Sequence, residues 1–120
     1  MNSTSLKAIA AIWINAFNHK DLEQLLSLYH ESAEHFSPKL KARHPETQGL
    51  IKGKKALRQW WQDAFERLPS LHYRLIRITS EDNRVFMEYV REVTGEADLY
   101  VGEMLEFENG LIVVSSVFHR

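Results

Sequence analysis

The sequence contains no cysteine among its 120 residues, which excludes disulfide bonds and thiolate metal sites. Its formal net charge is −1, so it lacks the basic excess with which nucleic-acid-binding domains contact phosphates. No apolar run approaches the ~20 residues that a membrane-spanning helix needs. The N-terminal stretch MNSTSLKAIAAIW lacks the basic and apolar regions of a secretory signal. These absences predict a soluble cytoplasmic protein with neither a nucleic acid nor a membrane as its partner.

The length predicts a single domain, residues 1–120, with one core. Apolar residues recur at helical spacing in three segments, at 6–17, 22–29 and 57–68. The period then changes from 3.6 to 2, and four strand-like runs follow at 71–79, 84–94, 98–108 and 111–119. Three helices followed by four strands with short turns predict an α+β domain, in which a curved antiparallel meander packs on helices.

The region between the second and third helices is less regular. Residues 33–36 are predicted to form a short strand, and residues 37–52 to form a loop. A connection of this length is uncommon in a compact domain. Lys39, Lys41, Arg43 and His44 make it locally basic. We expect a solvated loop, with a functional or mobile segment as the alternative.

The alternation of side chains places Glu103 on an apolar face of the third run, between Val101 and Leu105. A buried carboxylate must be paired, or its pKa must rise until it is neutral. One interpretation is that Glu103 pairs with Arg91 of the preceding run, or that one of them reaches water at a rim. The other is that Glu103 is a tuned acid or base in a cavity.

The register of the last strand depends on the turn Asn109-Gly110. A two-residue turn would place Glu103 opposite Ser116, with Phe118 pointing inward. A three-residue loop, ENG, would shift the register by one residue. In that second register the inward residues are Ser115, Val117 and His119.

Three stretches together resemble the nuclear transport factor 2-like superfamily, near its SnoaL-like (polyketide cyclase) and ketosteroid isomerase branches. They are AIWINAFNHKDLEQLLSLYHESAEHFSP, GLIKGKKALRQWWQDAF and EMLEFENGLIVVSSVFHR. The resemblance implies a cone-shaped roll, with three N-terminal helices packed on a strongly curved, mainly antiparallel sheet that encloses an apolar pocket. It also implies a homodimer through the outer face of the sheet, and the register that points Ser115, Val117 and His119 inward.

The catalytic groups of these relatives are only partly present. Ketosteroid isomerases place a general-base Asp just before the proline of the first strand, where this chain has Ser37. Their opening-helix Tyr corresponds to Trp13, and their strand Asp, which donates to the substrate oxyanion, corresponds to Glu103. Limonene epoxide hydrolases use an Arg and two Asp. The matching positions here are apolar: Val85, Met87 and Val117. Neither activity is therefore transferred to this chain.

The resemblance implies a pocket with polar groups and an aromatic wall. The candidate catalytic residues are His35, Glu103 and His119. The candidate ligand-binding residues are Trp13, Ser37, Trp60, Trp61, Met87, Tyr89, Arg91 and Ser115. For the tryptophans, simple core packing is the alternative interpretation. No metal site is predicted, because no spacing motif joins His35, His119 and Glu103.

We expect an acid–base pair in this pocket. His35 would remove or relay a proton, and Glu103, neutral or partnered by Arg91, would donate to a developing oxyanion. His35 is preferred to His119, because His119 is the penultimate residue and can fray.

The predicted function is that of a SnoaL-like pocket protein for a small apolar molecule, without a cofactor. One hypothesis is an enzyme that performs proton transfer on an apolar carbonyl compound, of the isomerase, cyclase or hydrolase type. The alternatives are a non-catalytic ligand-binding domain and a protein-interaction module of the same fold. The missing general base at Ser37 weakens the first hypothesis, whereas Glu103 and the histidines support it.

Overall fold

Four α-helices and six strands make up residues 3–120, which the computed structural model describes with side chains from Leu6 onward. The helices are α1 (Ser3–Asn18), α2 (Leu22–Ser27), α3 (Pro38–Arg43) and α4 (Lys54–Arg67). The strands are β1 (Tyr29–Phe36), β2 (Leu50–Lys52), β3 (His72–Glu81), β4 (Arg84–Glu92), β5 (Leu99–Glu108) and β6 (Leu111–His119). A single 3₁₀ turn, Pro45–Thr47, lies between α3 and β2.

The six strands form one mixed sheet in the order β2-β1-β6-β5-β4-β3. The pair β1–β6 is parallel, and the other four pairs are antiparallel. Every second residue of β4 and β5 is buried against the helices, as the alternation predicted. The prediction of an α+β roll with helices on a mainly antiparallel sheet is confirmed.

The helices bury the apolar faces that their sequence periodicity predicted. On α1, Ala10, Trp13 and Phe17 are at most 1 % exposed and belong to the core. Asp21 caps α2 by accepting a 3.1 Å hydrogen bond from the backbone N–H of Gln24, as expected for an N-cap residue. In the described part of the chain, no helix has the length and apolar character needed to cross a membrane.

The prediction that residues 37–52 form a loop is wrong, and so is the count of three helices. Ser37 accepts a hydrogen bond from the backbone N–H of Lys39, and Pro38 occupies the first turn, so α3 begins here. Leu40 anchors α3 with 1 % exposure. After the 3₁₀ turn, β2 pairs with β1 and adds an edge strand. A six-residue helix and a three-residue strand are too short to show a hydrophobic period.

Strand β1 is also longer than predicted. It begins at Tyr29, which the helical pattern had assigned to the second helix. Tyr29 pairs with Ile112 of β6 and is completely buried. A buried aromatic four residues after Leu25 fits a helix face and a strand equally well, and the pairing with β6 decided between them.

The last hairpin has the register that the family resemblance implied, but its turn is not the three-residue loop that was linked to this register. Glu108 pairs directly with Leu111, so the turn has two residues, with Asn109 and Gly110 both at positive φ. The three-residue loop is therefore wrong. A bulge follows between Glu106 and Phe107, and it shifts the pairing by one residue. Glu103 consequently lies opposite Val117, and Leu105 lies opposite a buried Ser115.

Candidate functional site

A cavity of about 310 Å³ lies between the sheet and helices α1, α3 and α4. Nine of the predicted site residues line it: Trp13, His35, Ser37, Trp60, Trp61, Tyr89, Arg91, Glu103 and His119. Two do not. Met87 is fully buried in the core, and Ser115 lies behind His35 with its hydroxyl bonded to the ring. The structure thus brings the three candidate catalytic residues to one cavity.

Glu103 is 1 % exposed and sits between Met87 and Val117 on the neighbouring strands. The Tyr89 hydroxyl donates a 2.7 Å hydrogen bond to its Oε1. Its Oε2 has no hydrogen-bond partner among the described residues. Burial raises the pKa of Glu103 to about 7, and the hydrogen bond from Tyr89 offsets only part of that rise. The carboxyl group therefore changes its charge near neutral pH.

Of the two interpretations of Glu103, the one in which it pairs with Arg91 is wrong. Arg91 Nη1 instead donates a 2.8 Å hydrogen bond to Glu96, in the segment after β4. Glu96 lies outside the strands and is exposed, so the Arg91 guanidinium is directed toward the opening of the sheet and away from Glu103. The inward position of Glu103 is instead supported by the phenol of Tyr89, which provides a neutral donor.

His35 is buried and ends a chain of four side chains. Trp13 Nε1 donates to the Tyr29 hydroxyl at 3.1 Å, and the Tyr29 hydroxyl donates to Ser115 Oγ at 3.1 Å. Ser115 Oγ lies 2.6 Å from His35 Nδ1. Burial lowers the pKa of His35 to about 4, so the ring is neutral at pH 7.

The hydrogen bonds of this chain favour one tautomer of His35. The indole of Trp13 can only donate, so the Tyr29 oxygen accepts from it. The Tyr29 proton then goes to Ser115, because leaving a buried phenol donor unused would cost free energy. Ser115 Oγ has no acceptor for its own proton among the described residues other than Nδ1 of His35, so only the arrangement in which Ser115 donates to Nδ1 leaves no buried donor unused. The ring proton is left on Nε2, as a donor on a residue that lines the cavity.

His35 and Glu103 lie on the same face of the sheet but not in contact. Their strands, β1 and β5, flank β6, where they pair with Ser115 and Val117 respectively. Two strand spacings of about 4.8 Å and an offset of two residues at about 3.4 Å each place the two Cα atoms about 12 Å apart. A small molecule between them could contact both groups.

Ser37 is the N-cap residue of α3. Its hydroxyl accepts the backbone N–H of Lys39 and caps α3. It lines the cavity with 8 % exposure, yet its oxygen is already engaged. The position where the ketosteroid isomerases carry a base is therefore occupied here by a helix cap.

His119 lines the outer part of the cavity and is only half-buried. Its pKa is lowered, first by burial and then by the positive charges of Lys39 and Arg91. Within residues 6–120, no group of three or more His, Asp or Glu side chains is arranged to hold a metal ion. The positive charges of Lys39 and Arg91 therefore disfavour a protonated His119.

Several lining residues were missed by the sequence interpretation. Tyr73 of β3 stacks on Phe17 and Tyr89, with ring centroids 3.9 and 4.1 Å away. Its alternation with Leu71 could have indicated an inward position. The cationic residues Lys39, Arg43 and Arg67 also line the cavity. The first two were assigned to a solvated loop, and nothing in the sequence pattern of α4 singles out Arg67.

Comparison with known proteins gives the same architecture. The family model described as a SnoaL-like domain matches residues 10–115. A SnoaL-like protein of unknown function from Burkholderia thailandensis is 22 % identical, with a TM-score of 0.88 over 100 % of this chain and 98 % of that chain. No curated protein matches the sequence at a significant level.

Two further solved structures carry names that suggest a chemistry. A candidate ketosteroid isomerase from Kribbella flavida is 17 % identical, with a TM-score of 0.80 over 98 % of this chain and 78 % of that chain. A candidate polyketide cyclase from Sinorhizobium meliloti is 13 % identical, with a TM-score of 0.80 over 98 % of this chain and all of that chain. At these identities the likeness establishes the fold alone.

Proposed function

Because the chain belongs to the SnoaL-like domain family, we propose that its cavity binds a small apolar carbonyl compound and catalyses proton transfer on it without a cofactor. One observation carries the proposal. The buried Glu103 carboxyl, whose pKa is raised to about 7, lines the cavity and has one oxygen with no partner among the described residues. Perturbed, unsatisfied ionisable groups in a cavity are typical of catalytic sites.

The hydrogen bonds favour roles opposite to those that the sequence predicted. Glu103, once ionised, is the general base, because a carboxylate of raised pKa is a stronger base than an ordinary one. His35 is the donor, because its Nε2 carries the ring proton while its lowered pKa keeps it neutral. Tyr89 remains protonated, since burial and the charge of Glu103 raise its pKa well above the ordinary value.

The proposed reaction consists of two proton transfers, one from carbon to Glu103 and one from Glu103 back to carbon. The Glu103 carboxylate removes a proton from the carbon next to the carbonyl, and the C–H electron pair forms an enolate. The enolate oxygen accepts a hydrogen bond from His35 Nε2–H, which stabilises the charge as it develops. Glu103 then returns its proton to carbon, at the same or a conjugated position, and regains its starting charge.

Deuterium exchange tests this function without knowledge of the natural substrate. A panel of aryl alkyl ketones is incubated with the protein in D₂O, and loss of the α-proton signal is followed by NMR. We expect exchange above the buffer rate, increasing with pH to a plateau above about 7, where Glu103 is ionised. Glu103→Gln should abolish it while ketone binding persists. Glu106→Gln, on the outer face of the same strand, is the matched control.

A non-catalytic ligand-binding domain is the second candidate, and Ser37 favours it, because the position used for the base in relatives holds a helix-capping serine hydroxyl, which is not a base at neutral pH. The same assay separates the two. Ketones that bind to the protein without any exchange would contradict catalysis and leave ligand binding.

We also propose that the protein forms a homodimer through the outer face of the sheet. Three large apolar side chains on that face are 40–55 % exposed: Phe36, Tyr100 and Phe118. Each follows or precedes a buried inward residue on its strand, so they share the outer face. A self-association surface would remove them from water. The interaction-module hypothesis would need the same surface to be free.

A further inference from the structure

The charged groups that line the cavity are mostly cations. Lys39 and Arg43 come from α3, Arg67 from α4 and Arg91 from β4, whereas Glu103 and Glu96 are the lining carboxylates. Glu103 lies at the buried end with 1 % exposure. The other five charges therefore form a separate group, which we call the basic rim.

The basic rim is at the opening of the cavity. The side chains of Arg43, Arg67 and Glu96 are 42 %, 33 % and 44 % exposed, and Lys39 is exposed as well. Arg91, with an 11 % exposed side chain, is the innermost member and reaches the rim through its contact with Glu96. His35 and Tyr89, in contrast, are at most 3 % exposed. A ligand that fills the cavity would thus place one end among aromatic rings and the other among cations.

Acidic neighbours neutralise only part of the basic rim. Arg91 binds Glu96 at 2.8 Å. Arg67 and Arg43 share a single carboxylate, Asp63, at 2.7 and 3.6 Å. Four cations thus face two carboxylates, which leaves two uncompensated positive charges.

Lys39 is the cation that is available for a ligand. No carboxylate within residues 6–120 lies within 4 Å of its ammonium group. Its backbone is nevertheless fixed, because its N–H is bound by Ser37 and the next residue, Leu40, is buried. A cation on a fixed backbone at a cavity mouth is prearranged for an anion.

We infer that the natural ligand is an amphiphilic aromatic or alicyclic keto acid, whose carboxylate is held at the basic rim by Lys39 while its carbonyl end lies between His35 and Glu103. This inference rests on the proposed function for the carbonyl end and adds the anionic group. The cavity volume of about 310 Å³ is at the small end of ligand sites, so a one- or two-ring acid fits it.

Calorimetric titration with one matched ligand pair tests the anionic group. The acid is 4-oxo-4-phenylbutanoate, and the neutral counterpart is 4-oxo-4-phenylbutanamide. In low salt we expect the acid to bind about tenfold more tightly, because two partly screened charges contribute. The preference should shrink toward parity at about 0.5 M salt.

Two matched variants test whether Lys39 is the residue that causes the preference for the acid over the amide. Lys39→Gln should lose most of the acid-over-amide ratio and keep the affinity for the amide. Lys41→Gln, also on α3 but absent from the cavity lining, should keep the wild-type ratio. A melting curve checks that both variants fold.

The outcomes separate this inference from the proposed function. Equal binding of acid and amide to the wild-type protein would overturn the anionic ligand and leave the carbonyl pocket intact. A wild-type preference that survives Lys39→Gln would overturn the role of Lys39. Binding of neither compound would overturn the carbonyl pocket as well.

Discussion

Tyr89 and Glu103 lie on neighbouring strands, and the Tyr89 hydroxyl donates a 2.7 Å hydrogen bond to one oxygen of the Glu103 carboxyl. The two residues are not directly opposed, since Glu103 pairs with Met87 and Tyr89 pairs with Val101. The bond is a diagonal contact, which a long aromatic side chain can span. It holds the carboxyl in place through one oxygen and leaves the other without a partner among the described residues.

Glu103 should make the folded state less stable as pH rises. Burial raises its pKa from 4.5 to about 7, so between these values the folded protein holds a proton that the unfolded chain has lost. Stability from this group is full below pH 4.5 and decreases by about 3 kcal/mol as pH rises to 7. His35 acts in the opposite direction. Its pKa falls from 6.5 to about 4, so its protonation on unfolding reduces stability at low pH by a similar amount.

Glu103→Gln should reveal this compensation. The wild-type free energy of unfolding should change little between pH 4.5 and 6.5, because the two groups oppose each other there. The variant should instead gain about 3 kcal/mol over that range from His35 alone. Urea unfolding at a series of pH values measures both curves, with Glu106→Gln as control. Parallel curves for the wild type and Glu103→Gln would contradict the raised pKa.

NMR should find His35 neutral, with its proton on Nε2, down to about pH 4. The hydrogen-bond chain from Trp13 through Tyr29 and Ser115 makes Nδ1 an acceptor. Long-range ¹H–¹⁵N correlation distinguishes the two tautomers directly. Ser115→Ala removes the donor to Nδ1, so it should shift the tautomer balance. A proton found on Nδ1 in the wild type would exclude His35 as the donor proposed for the enolate.

Ser37→Ala should destabilise the protein by about 1 kcal/mol, the usual cost of an N-cap. The reason is loss of the acceptor for the Lys39 backbone N–H at the start of α3. Ser37→Asp retains the cap and should retain stability, because aspartate is also a strong N-cap residue. Chemical denaturation compares the three proteins. If alanine and aspartate cost the same, the hydroxyl contributes nothing as a cap.

Phe118→Asp should convert the proposed homodimer to a monomer. Phe118 is 55 % exposed on the outer face of β6, opposite Gly102 of β5, and a charge there cannot be buried without a large cost. Ile12→Asp provides the control, because Ile12 is 42 % exposed but lies on α1 in the helical layer. Sedimentation velocity measures the mass of each. A wild-type monomer at all concentrations tested, or a Phe118→Asp dimer, would refute the interface.

The sequence by itself determined the inward position of Glu103. Alternation along 98–108 is a strict period of two, so one apolar neighbour on the same face suffices to orient the rest. The same reasoning predicted the apolar faces of α1 and α4. Local period carries such information because each helix or strand orients its side chains without reference to other elements.

Only the tertiary structure decided what these groups contact. Arg91 binds Glu96 and not Glu103, and α3 brings Lys39 and Arg43 of the basic rim to the cavity. A bulge rather than a longer turn sets the register of β6. Which ring nitrogen of His35 carries the proton depends on hydrogen bonds among Trp13, Tyr29 and Ser115. The most distant bonded pair, Tyr29 and Ser115, is 86 positions apart in the sequence. Partners so distant along the chain leave no periodic trace, because contact between them arises only when the sheet assembles.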